Sequence, residues 1–89
     1  MARFEMSALN TGETAVEGGA PDALFQLGIM YCAGREVDLD LVQAHKWFNL
    51  SALRGNAEAR RYRSEVASEM TKVQVARAQR LAREWLAVN

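Results

Sequence analysis

His45 is the only histidine and Cys32 the only cysteine in 89 residues. A zinc site needs three or four converging His, Cys or carboxylate ligands. One histidine and one distant cysteine do not supply them, so neither a metal nor a cofactor is expected. A single cysteine also forms no internal disulfide, and in an apolar helical segment it acts as a small hydrophobe. Nucleophilic catalysis needs a nucleophile, a base and an orienting group within reach. Ser51, Ser64 and Ser68 have no base beside them, and Cys32 has no histidine partner by pattern. Asp38/Asp40 and Glu65/Glu69 read as helix caps and solvated faces. The six glycines make no phosphate-cradling motif. These residues point away from an enzyme.

Charge is the remaining chemical resource. The net charge is zero, which gives no overall field toward nucleic acid or membrane. Its distribution is uneven. Residues 1–53 carry seven acids against three bases, and residues 54–89 carry eight bases against four acids. Arg54, Arg60, Arg61 and Arg63 cluster around one predicted helix and could meet an acidic partner. A nucleic-acid surface would want net positive charge and interleaved aromatics. Tyr62 is the only aromatic there, and it falls on a core stripe. No segment approaches the roughly 18–20 apolar residues that span a bilayer. The N-terminal Met-Ala-Arg-Phe-Glu-Met-Ser lacks a signal-peptide apolar run. A cytoplasmic location is expected, with neither nucleic acid nor membrane as partner.

Four helices must position these groups. Residues 1–20 read as an irregular segment with turn signals at Gly12 and Gly18-Gly19, and Phe4, Met6 and Leu9 could cover one end of the core. Pro21 suits the first position of a helix, Asp22 favours its N-terminus and Gly34 suits its end. Ala23, Leu24, Leu27, Gly28 and Tyr31 line its inward face. Asp40 is the expected N-cap of a second helix, with Ala44, Trp47, Phe48 and Ser51 inward and Gly55 at its end. Asn56 caps a third, with Ala59, Tyr62, Val66 and Met70 on one stripe. Thr71 and Gln74 match a capping box, so a fourth begins there. Ala78, Leu81, Ala82, Trp85 and Leu86 form its buried stripe. No strand-like alternation occurs.

Gly55 follows Gly19 by 36 positions, and Ala59 follows Ala23 by the same interval. Such a period suits a helix-turn-helix repeat. The second unit departs from the first: Arg63, Ser64 and Ala67 stand where Leu27, Gly28 and Tyr31 would recur. Ala23, Leu27, Gly28, Tyr31, Gly34, Val37, Asp40, Ala44, Trp47, Ala52, Gly55 and Ala59 together resemble the Sel-one-like repeat, a relative of the tetratricopeptide repeat. The resemblance covers residues 19–59. It implies an α-α superhelix and a protein-binding scaffold. Glu36 departs from it where a second loop glycine is usual, Gln43 where lysine is frequent and Ser51 where alanine is preferred.

The expected architecture is therefore all-α, two stacked antiparallel helical hairpins. An irregular segment, 1–20, precedes a helical domain, 21–89, made of one full repeat (21–55) and a degenerate capping hairpin (56–89). The expected function is non-catalytic protein–protein interaction, as an adaptor for an unidentified protein. Phe25, Gln26, Met30, His45, Asn49, Arg60 and Arg61 are the candidate exposed docking residues. His45 falls between the inward positions Ala44 and Trp47, so partial exposure is expected. The alternative is a self-associating homodimer. A short repeat leaves apolar ends, and the uneven charge would favour pairing of copies.

Overall fold

The computed structural model describes residues 20–89, so Phe4, Met6, Leu9 and the early turn signals lie outside the described residues. The described chain is all-helical: α1 (Pro21–Ala33), α2 (Leu41–Leu53), α3 (Ala57–Ala67) and α4 (Lys72–Val88). Each boundary has a local cause. Pro21 occupies the first turn of α1, where no intrahelical N–H partner is lost. Gly34 ends α1 in the left-handed region, and its N–H donates to the Met30 carbonyl. The Asp40 carboxylate caps α2 by accepting from the Gln43 N–H at 3.1 Å. The Asn56 side-chain oxygen caps α3, accepting from the Glu58 and Ala59 N–H groups. Thr71 and Gln74 make the reciprocal capping box that opens α4.

α1 and α2 form the closest pair, and α3 and α4 each pack against α2. Consecutive residues of α2 serve different clusters. Trp47 and Leu50 enter a cluster with Leu24 and Leu27 of α1 and Ala82 of α4. Ala44 and Phe48 enter another with Val66 of α3, bordered by Phe25, Ile29, Tyr62 and Met70. Trp47 meets Trp85 edge to face at 6.0 Å between ring centroids, a favoured aromatic geometry.

Gly28 is needed for a side chain, not only for backbone approach. A Cβ there would lie 2.5 Å from the Phe48 ring, which is fully buried and has no room to retreat. Ser51 is also fully buried. Its hydroxyl donates to the Pro21 carbonyl at 2.7 Å and ties the end of α2 to the start of α1. Asn56 adds a second tie by donating to Asp22.

The α1–α2 loop closes when the Asp40 N–H donates to the Tyr31 carbonyl. Glu36 within it has φ of +69°, the conformation that the usual loop glycine would adopt freely. A side chain in that region costs about 1–2 kcal/mol. Glu36→Gly recovers part of this, less the greater freedom that glycine has in the unfolded chain. We expect Glu36→Gly to stabilise by up to about 1 kcal/mol and Gly34→Ala to destabilise by about 1–2 kcal/mol. Urea unfolding of both variants checks this. A loss of stability in Glu36→Gly contradicts the strain assignment.

Candidate interaction surfaces

The residues expected to be exposed divide sharply. Gln26, Arg60 and Arg61 are exposed. Phe25 and Met30 are half-buried and belong to the helix contacts. The Phe25 ring packs against Phe48 at 5.6 Å and Tyr62 at 5.0 Å, joining α1, α2 and α3. Met30 packs against the Trp47 cluster. Asn49 is half-buried, and its side-chain oxygen accepts from the Arg63 guanidinium at 2.6 Å.

His45 corrects the sequence reading outright, with 3% of its surface exposed. The reason is the central place of α2. A helix flanked on one side buries a single stripe. Helix α2 meets three others, so its buried sector widens from Ala44 and Trp47 to include Val42, His45 and Leu50. The His45 Nδ1 and Trp47 Nε1 atoms are buried and find no hydrogen-bond partner among the described residues. Burial, then the nearby Arg63 charge, lowers the His45 pKa below its ordinary value.

The basic cluster around α3 is largely engaged within the fold. Arg54 lies over the Trp85 ring at 5.5 Å, and Arg63 holds Asn49. Arg61 lies over Tyr62 and pairs with Glu65 at 3.6 Å. That pair is well exposed, so it contributes little.

Two other surfaces stand out. Val73, Ala76, Arg77, Arg80 and Arg83 line an open recess along α4. Their spacing places them on one helical stripe, opposite the buried Ala78 and Ala82. Val73 is 78% exposed, unusual company for three arginines. Arg80 pairs with Glu84 at 3.5 Å, again in the open.

The other surface is a cleft of about 310 Å³, lined by Cys32, Leu39, Leu41, Tyr62, Glu65, Val66 and Glu69. It lies where the end of α1, the following loop, the start of α2 and α3 converge. Its lining is largely apolar, with one carboxylate from α3, Glu65, and one from the turn that follows it, Glu69. Burial, then the Glu69 and Glu65 charges, raises the Cys32 pKa above its ordinary value. Sequence reasoning passed over both surfaces. The signal for the first was a Val73-Arg77-Arg80 stripe facing away from Ala78 and Ala82. The second is assembled from four segments and has no local signal.

Among the described residues, no group of three or more His, Cys, Asp or Glu converges to hold a metal ion, and no helix is long and apolar enough to cross a membrane. No family model matches the chain, and neither a curated protein nor a solved structure does so.

The buried histidine has a thermodynamic consequence. Its folded pKa lies below the value of 6.5 that it approaches when unfolded. The unfolded chain therefore takes up a proton more readily. Stability from neutral His45 is present above the unfolded pKa and lost as pH falls through the folded one. We expect the melting temperature to drop between pH 7.5 and pH 5, with a shallower drop in His45→Gln. Equal pH slopes in the two proteins contradict the assignment.

Proposed function

We propose that this chain is a non-catalytic protein-interaction module of the cytoplasm that docks an acidic segment of a partner on the exposed face of α4. The carrying observation is the recess in which Arg77, Arg80 and Arg83 stand beside Val73 and Ala76. Small apolar side chains allow close approach, and the guanidinium groups beside them offer paired donors to carboxylates. Arginine is also enriched where protein interfaces concentrate their energy. The resemblance of residues 19–59 to the Sel-one-like repeat supports the same reading, because that family builds protein-binding scaffolds.

The α3 arginines make a weaker surface. Arg61 and Arg63 already have partners inside the fold, which leaves Arg60 as the exposed member with no such contact among the described residues. The test compares the two basic faces by affinity capture from native lysate with the full chain as bait. The Arg77→Glu/Arg83→Glu bait is expected to lose a stoichiometric partner that Arg60→Glu/Arg61→Glu retains. Loss only in the second variant moves the docking face to α3. Identical capture by both variants and the parent contradicts a charge-read surface.

A further inference from the structure

We infer that the partner of the α4 face is a second copy of this chain, whose Cys32–Leu39 cleft receives it. This rests on the reading of α4 as a docking face and names its occupant. The two surfaces are complementary in shape and in sign. The cleft is an apolar recess bordered by Glu65 and Glu69. Leu39, 60% exposed at its edge, sits in a loop that also carries Glu36, Asp38 and Asp40. The α4 face presents Val73 and Ala76 at the N-terminal end of a stripe that continues through Arg77, Arg80 and Arg83.

The stripe from Val73 to Arg83 rises about 15 Å, so it brings cations past both carboxylates of the cleft. Valine and alanine are slender enough to enter beside Leu39, Leu41 and Val66. The ion pairs that would have to exchange, Arg61–Glu65 and Arg80–Glu84, are both exposed and cost little to open.

One molecule cannot satisfy both surfaces by itself. The cleft is built by α1, α2, α3, the first loop and the turn after α3, and helix α4 itself lines none of it. Helix α4 is held on the Trp47 side of α2, whereas the cleft shares Val66, Tyr62 and Cys32 with the Phe48 side. The zero net charge removes overall repulsion between copies while leaving the local poles intact. A contact between two different patches closes as a reciprocal pair or continues as an open chain. Either outcome buries the cleft and its thiol.

Sedimentation velocity on the full chain over a range of concentrations tests this, together with the alkylation rate of Cys32 by iodoacetamide. The parent is expected to gain mass with concentration, and Cys32 alkylation is expected to slow at least tenfold over the same range. Glu65→Arg/Glu69→Arg and Arg77→Glu/Arg80→Glu are each expected to remain monomeric, because each sets like charges against one another. Their alkylation rates are expected not to depend on concentration. Mixing the two variants in equal amounts restores opposite charges at both contacts, and should restore both mass and protection.

A parent that is monomeric throughout, with Cys32 equally reactive at every concentration, overturns the inference even if a charge variant fails to fold. Association that survives both charge reversals overturns it as well. A monomeric chain that still loses a different partner on α4 reversal overturns only the second-copy occupant and leaves the α4 reading in place. Binding of that face to a polyanion such as heparin, without self-association, assigns it to phosphate or sulfate groups and contradicts both.

Discussion

Everything in this fold depends on two adjacent side chains of α2, Trp47 and Phe48, that point to different neighbours. Trp47 holds α4 through Trp85 and Ala82, while Phe48 holds α3 through Tyr62 and Val66. Both clusters also lean on α1, whose Leu24 and Leu27 serve one and whose Phe25 and Ile29 border the other. The Phe48 ring fits only because residue 28 has no side chain. A domain this small has little stability to spare, so a single central helix organising two clusters is also a single point of failure.

That arrangement decides which surface groups are free. Helix α3 lies close enough to α2 for Arg63 to reach Asn49, and Trp85 lies close enough to the end of α2 for Arg54 to stack on it. The arginines nearest the core are thereby drawn into packing, as amphipathic side chains with long apolar stems commonly are. The arginines of α4 point the other way, because Ala78 and Ala82 occupy its contact with the rest of the fold. Glu36, Asp38 and Asp40 lie in the loop that follows α1, and Glu65 and Glu69 border the cleft beside it.

Local features were legible in the sequence because their causes are local. Pro21, Gly34, Asp40, Asn56 and the Thr71/Gln74 box all act at the helix ends where their chemistry placed them. Most of the inward stripes also followed, since Leu24, Leu27, Ala44, Trp47, Phe48, Ser51, Ala59, Val66, Ala78 and Ala82 are buried, whereas Leu86, expected on the α4 stripe, is exposed. Glu36 adopts a positive φ, a backbone conformation that glycine reaches without strain. What sequence did not reveal depends on several elements at once. His45 and Phe25 were expected on open faces, but periodicity along one helix does not say how many neighbours that helix has. The cleft at Cys32 needs four segments to exist.

The central claim is that α2 organises both clusters, and native-state hydrogen exchange measures it most directly. Amides from Ala44 to Ser51 should exchange slowest, and only through global unfolding. Amides of α4 beyond Trp85, where Leu86 and Val88 are exposed, should exchange through smaller openings. Protection in α3 or α4 that exceeds protection in α2 would contradict the account, because either helix would then hold together without the one on which it is said to depend.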